Sequence, residues 1–363
     1  MMELNKKPLR IRELTAMIFM IIGLKGGDTT PALFADQAQN AIWIVPIISF
    51  LFLLGPFLIL MHLLKKYKKY NLIELIFHLI GKKAGTLLAL LLFICGFIAM
   101  FTDMRNVMEE INYLYFPNSP TLVIYVIFLT VCILVANKGL ETIGSLAWAL
   151  LPIIIVTIIA VIFVDLKEAV LVRIFPLFGG GVGTVIFEGI SKSAAFLEIF
   201  LITIAYQSFH QTKYFHSGIY LGGSLSFMLI VSFYAVYTML FDYNSINNIA
   251  FLYQEATEIV ALGHFFTNIS TLFMVGWMFS NFLRFIIFLY LICWIFGAIF
   301  EIKRFEGLLL PIGFIAMILS LIPPSFVVNE MFFREKSLQI MTPLFFLFPF
   351  LLWAASYWKD RKT

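Results

Sequence analysis

The sequence predicts an all-α integral membrane protein: ten transmembrane helices in a 5+5 inverted repeat, with helices one and six broken. Three observations carry this. The chain is 61% hydrophobic and only 13% charged, about half the roughly 25% charge of an average soluble domain. Apolar runs close to the ~20 residues that cross about 30 Å of hydrocarbon recur from end to end. Two of these runs are interrupted by glycines and charges at corresponding places. The runs are continuous, without period-two alternation, which excludes a membrane barrel. All 363 residues therefore read as one polytopic domain.

Hydropathy places the helices near 11–38 (interrupted), 41–64, 86–110, 120–136, 142–164, 183–206 (interrupted), 217–240, 271–300, 307–322 and 340–358. Repeat one covers about 11–164 and repeat two about 183–358. Charge fixes the expected orientation. Of the 25 Lys and Arg residues, 17 fall at the termini or in the loops on the same side. They include Lys6, Lys7, Lys65, Lys66, Lys82, Lys303 and Lys362. Only Lys167, Arg173, Arg334 and Lys336 fall on the opposite side, so both termini are expected in the cytoplasm. The opening "MMELNKKPLRIREL" lacks the pattern of a cleaved signal peptide.

The first break is "IIGLKGGDTTP" (21–31), where Gly23, Leu24, Lys25, Gly26, Gly27, Asp28 and Thr29 interrupt an apolar span. The second lies somewhere in "FGGGVGTVIFEGISKSAAFLEIFL" (178–201), which holds Glu188 and Lys192 and, toward its end, Ser193, Ala194, Phe196 and Glu198. Five helices per half is an odd number, so the halves enter the membrane from opposite sides. Paired discontinuous helices then mark a midplane site. Unwound backbone is tolerated at membrane depth only where protein or a cavity completes it. Glycine permits such backbone and lets a ligand approach it, and half-helix N-termini favour a carboxylate.

Pro31 suits the start of a helix. Asp28 reads either as its cap or as a ligand contact. An intramembrane lysine needs a partner, and for Lys25 the candidates are Glu198 and Glu188. In helix three, Asp103 and Arg105 are two apart and cannot face each other. Arg105 either pairs with Glu109 or points into the cavity. Trp277 and Arg284, seven apart, share one face of helix eight. Trp277 reads as a packing aromatic or as part of the site.

Other chemistry finds little support. No nucleophile elbow, phosphate loop or H-E-x-x-H occurs, so neither catalysis nor a cofactor is expected. Cys95, Cys132 and Cys293 sit in apolar spans as buried thiols. The five histidines, His210 and His216 included, are too scattered to suggest a metal site. Topology accounts for the positive charge, leaving no nucleic-acid patch. The basic stretch 65–85 contains a short amphipathic segment, read as an interfacial anchor or as a dock for anionic lipid or a cytoplasmic partner.

The ordered set "GLKGGDTTP", "NAIWIVPIISF", "IGKKAGTLL", Arg105, "PNSPTLVI", "NKGLETIG", "RIFPLFGGGVG" and Trp277 resembles the B subunits of bacterial spore nutrient germinant receptors. These belong to the amino acid–polyamine–organocation transporter superfamily. The resemblance implies a leucine-transporter-like fold that binds a germinant, commonly an amino acid, in the spore inner membrane. It also implies partnership with an A subunit and a lipoprotein C subunit. Carried over by position, the ligand would meet Gly23 to Thr29, the break around Ser193 to Glu198, Arg105 and Trp277. In many ion-coupled transporters of this fold a sodium ion occupies the region of Lys25, whose ammonium is expected to replace it. Lys25, Asp28 and Glu198 depart from the more apolar family pattern, so ligand identity does not carry over. A proton-coupled amino acid permease is the alternative reading, with Glu188, Glu198 or Asp103 as proton carriers.

Overall fold

The computed structural model describes residues 9–209, 211–259 and 269–361. Lys6, Lys7, His210, Lys362 and residues 260–265 of the expected outer loop lie outside them. The described residues contain helices and no strand.

In chain order the helices are α1 (Ile11–Ile22), α2 (Thr30–Ala38), α3 (Ile44–Lys66), α4 (Leu72–Ile80), α5 (Lys82–Tyr115), α6 (Thr121–Ala136), α7 (Leu140–Glu168) and α8 (Val182–Ser191). They continue with α9 (Glu198–Leu201), α10 (Thr212–Leu240), α11 (Tyr243–Asn248), α12 (Leu252–Ile259), α13 (Ile269–Ile299), α14 (Leu309–Ser320), α15 (Phe326–Val328) and α16 (Glu335–Asp360). Among the described residues, six continuous helical stretches are long and apolar enough to span a membrane: Thr30–Lys66, Lys82–Tyr115, Leu140–Glu168, Thr212–Leu240, Phe273–Ile299 and Phe326–Asp360.

Burial sorts these helices into a core and a shell. From Leu14 to Ile22, α1 is buried throughout, as is most of α13. The shell helices expose Leu51, Leu87, Ile127, Val156, Phe163 and Ile340. Such a belt of large apolar side chains is what lipid, rather than water, covers. Small residues bring the core helices together. A Cβ at Gly222 of α10 would lie 2.8 Å from Cβ of Ile18, and one at Gly218 would lie 2.9 Å from Leu14. Only glycine lets α10 approach α1 so closely.

Two sequence expectations change here. The tenth helix was expected at 340–358, yet the helical stretch begins at Phe326 and passes through a π-helical turn, Asn329–Arg334, into α16. The polar residues Asn329, Glu330 and Arg334 lowered local hydropathy, but all three are buried. Arg334 therefore leaves the outer loop where charge counting had put it. The expected loop 241–265 also carries the short helices α11 and α12.

The amphipathic segment α4 begins at a capping box: Asn71 Oδ1 accepts from the N–H groups of Ile73 (3.0 Å) and Glu74 (2.9 Å). Its buried face, Leu72, Ile73, Leu75 and Ile76, packs on α5 and α16. Lys359 of α16 donates to the His78 carbonyl at 2.9 Å.

Candidate ligand site

The chain leaves the α-helical path at Ile22. A 3-10 turn covers Gly23–Gly26, and α2 begins at Thr30. Pro31 lies in the first turn of α2, where its missing N–H costs nothing. Asp28 Oδ1 accepts from Thr30 N at 2.8 Å, so this carboxylate does help to start the helix. The carbonyls freed by the break are completed from within the chain. Tyr234 OH donates to Lys25 O at 3.0 Å, and Tyr237 OH donates to Gly26 O at 3.0 Å. Trp277 Nε1 donates to Gly27 O at 3.1 Å. Three successive carbonyls thus meet three aromatic donors from α10 and α13, as burial requires.

The second interruption follows α8. Lys192 leads into a 3-10 turn, Ser193–Phe196, then into α9 and a further 3-10 stretch, Ile202–Ser208. Thr342 Oγ1 of α16 accepts from Ala194 N at 3.0 Å, pinning the turn. Ser193 Oγ is buried without a hydrogen-bond partner among the described residues.

A buried ionic cluster joins the two interruptions. Lys25 Nζ lies 2.8 Å from Glu198 Oε1 and 3.9 Å from Asp103 Oδ2. Arg284 Nη1 contacts Asp28 Oδ2 at 3.0 Å, and its Nη2 donates to Asp103. Arg334 Nε reaches Asp103 Oδ1 at 3.2 Å, its Nη2 lies 3.7 Å from Asp28, and its Nη1 pairs with Glu330 at 2.6 Å. The same guanidinium donates to the hydroxyls of Thr29 (3.0 Å) and Thr30 (2.6 Å). Asn106 donates to Thr29 Oγ1 and to Glu330, closing the ring. Lys25, Arg284 and Arg334 thus meet Asp28, Asp103, Glu198 and Glu330, three cations against four carboxylates, from the α1–α2 break, α5, α9, α13 and the π-helical turn before α16.

Asp28 proves to be both cap and ion-pair member, through its two oxygens. Of the two acids named for Lys25, the structure brings Glu198; Glu188 instead pairs with Lys192 at 2.6 Å. Lys192 also reaches Glu335 at 3.3 Å and donates to Leu33 O at 3.1 Å. Lys25, Asp103, Ala194, Glu198 and Arg334 line a void of about 10 Å³, room for roughly one water. Gly23, Leu24, Gly27 and Trp277 line a second, more apolar void of about 20 Å³ on the other side of the break. Two named residues stand apart. Arg105 pairs with Glu109 at 3.0 Å on the opposite face of α5 from Asp103. Phe196 stacks on Phe50 of α3, ring centroids 4.5 Å apart.

The residues not singled out as site members, Asp103, Arg284, Glu330, Arg334 and Asn106, hold the cluster together. Signals for three of them were present. Arg284 is a lone charge within an apolar span, one heptad beyond Trp277. Glu330 and Arg334 have the i, i+4 spacing of a helical ion pair.

The described residues are all-helical, and solved structures of the leucine-transporter-type fold resemble them. MhsT in complex with L-phenylalanine superposes with a TM-score of 0.68 at 14% identity, covering 96% of this chain and 100% of that one. A mutant of the Eremococcus coleocola manganese transporter gives 0.55 at 15% identity, covering 94% of this chain and 76% of that one. These likenesses are of fold. Residues 9–326 match the spore permease family profile, described as spore germination protein, and the chain belongs to that family. No curated protein matches it.

Proposed function

We propose that this protein is the B subunit of a spore nutrient germinant receptor. It binds an amino acid or similar small nutrient at the ionic cluster between its two interrupted helices. The observation that carries this reading is the Lys25–Glu198–Asp103–Arg284–Asp28–Arg334 cluster, which ties the first interruption to the second. A zwitterionic ligand carries the two groups needed to replace such pairs. Its carboxylate can take over Arg284 or Arg334, and its ammonium can take over Glu198 or Asp103. The two voids beside the interruptions are too small for an amino acid, so binding selects an arrangement in which the helices have parted. Family membership supports the germination role. A fold shared with a protein solved with L-phenylalanine supports an amino acid as ligand.

On this reading the spans form two five-helix repeats, 11–164 and 183–358, inverted in the spore inner membrane with both termini cytoplasmic. Binding shifts the balance of closed and open states, and the A subunit and lipoprotein C subunit read that shift. The rival reading is a proton-coupled amino acid permease. It is favoured by Glu198 Oε2, which is buried without a hydrogen-bond partner among the described residues.

A germination screen across amino acids, nucleosides and sugars separates the two. Wild-type spores are expected to respond to at least one nutrient. Spores carrying Lys25→Ala at normal protein level should lose that response. Uptake of labelled nutrient into vesicles, with germination unchanged when the gene is deleted, would overturn the receptor reading in favour of the permease.

A further inference from the structure

Asp165, near the end of α7, is fully buried, and both its carboxyl oxygens lack a hydrogen-bond partner among the described residues. It continues the buried face of α7 that runs through Ile154, Thr157, Ile158 and Val161. The first three of these line the void beside Gly23 and Gly27. Asp165 stands seven residues beyond Ile158 on that face, about 10 Å along the helix.

Two phenols, Tyr237 from α10 and Tyr253 from α12, are within electrostatic reach; on α7 itself Lys167, which lies over the Phe163 ring, and Glu168 are exposed. Each phenol touches the first interruption: Tyr237 OH donates to Gly26 O, and the Tyr253 ring lies 3.3 Å from where a Cβ of Gly27 would be. Charges on the other elements packed against α7 are engaged elsewhere. In α1, Arg12 pairs with Glu13, and Lys25 beyond it pairs with Glu198. In α13, Arg284 pairs with Asp28 and Asp103. Lys213 and His216 lie in the first turns of α10, at its opposite end. Glu258 of α12 accepts from Gln254, Glu255 is exposed, and α6 has no charged residue. Arg173, just past α7, donates to the carbonyls of Met239 and Leu240.

We propose that Asp165 is a proton-binding site that couples pH to the closure of α12 over the first interruption. An ionised carboxylate here would lose its hydration and gain no donor or cation, so the closed arrangement holds the neutral acid. When α12 and Tyr253 move away, water reaches the carboxyl. The O–H bond breaks, the proton passes to water, and a solvated carboxylate remains. The closed state thus binds one proton that the open state releases, and rising pH favours opening. This holds whether or not the ligand is a germinant.

The test uses the full chain in lipid nanodiscs. Ser280→Cys, at the lining of the void, replaces the three native cysteines as the target of a water-soluble maleimide. Maleimide reacts with the thiolate, so every accessible thiol labels faster as pH rises. Divided by the rate of the matching Asp165→Asn protein, the rate with Asp165 present should still rise with pH, approaching a further tenfold per unit, the slope of one linked proton. Asp165→Asn, which mimics the neutral acid, should label more slowly and with the thiol's own pH dependence alone, and Asp165→Glu should restore the additional slope. Infrared spectra at neutral pH should show a protonated-carboxyl C=O band that Asp165→Asn removes. An Asn variant that keeps the wild-type pH slope, or a spectrum unchanged by the substitution, would overturn the proposal.

Discussion

Lys25→Met severs the contact on which the two interruptions meet. The Lys25 and Glu198 side chains are 3% and 1% exposed, so solvent barely screens the pair. Glu198 Oε2 already lacks a hydrogen-bond partner, and Lys25 is the cation on Oε1. Removing the ammonium strands a buried carboxylate, at a cost of about 3–5 kcal/mol. Glu198→Gln alone strands the ammonium less completely, because Asp103 remains 3.9 Å away. In the double variant both groups are neutral. Replacing a whole buried pair is often close to neutral in stability, so the double variant should recover most of the loss. Equilibrium unfolding of the three variants in mixed micelles measures the coupling, expected at about 2 kcal/mol or more. Single effects that add to within about 0.5 kcal/mol would show that the two side chains do not act as a pair, and the reasoning would fail.

Trp277→Phe keeps the ring and removes the donor to Gly27 O, so it should destabilise by about 1–3 kcal/mol in the same assay. Gly96→Ala would place a Cβ 2.6 Å from Ile292 and 2.7 Å from Leu201. Overpacking there should cost about 1–3 kcal/mol and lower the thermal midpoint. Arg105→Ala should leave nutrient response largely intact, since its partner Glu109 is 34% exposed, whereas Arg334→Ala should abolish it. Germination of spores carrying each variant distinguishes the two. Burial and the neighbouring Lys359 hold His78 below its ordinary value of 6.5. The folded state therefore disfavours the proton that the unfolded state takes up. Docking of α4 should be fully stable above pH 6.5 and weaken as pH falls below it. Amide exchange in α4 should show this, and His78→Gln should remove the dependence.

Particular residues show how far the sequence could be read. Lys25 stood out because an ammonium in hydrocarbon demands a partner, and only Glu188 and Glu198 on the sixth span were near enough in plan. The choice between them rested on Lys192, which takes Glu188 for itself one helical turn away. Arg334 was lost because hydropathy averages over a window, and a buried polar turn looks like a loop. The glycines of the first interruption were read as free backbone for a ligand. The carbonyls of Lys25, Gly26 and Gly27 instead meet Tyr234, Tyr237 and Trp277, more than 200 residues away in the chain. No local pattern announces such donors, since tyrosine and tryptophan serve equally well in packing. Asp103 and Arg105 were separable in principle: two residues apart on a helix, only one could face the cluster.

The most direct test of the central claim is ligand binding to the full-length protein in nanodiscs, by calorimetry, across amino acids, nucleosides and sugars. At least one amino acid should bind the wild type. The same ligand should fail to bind the folded Lys25→Met/Glu198→Gln variant, whose cluster has lost both an ammonium and a carboxylate. Binding that survives unchanged in that variant would contradict the assignment of this cluster as the site.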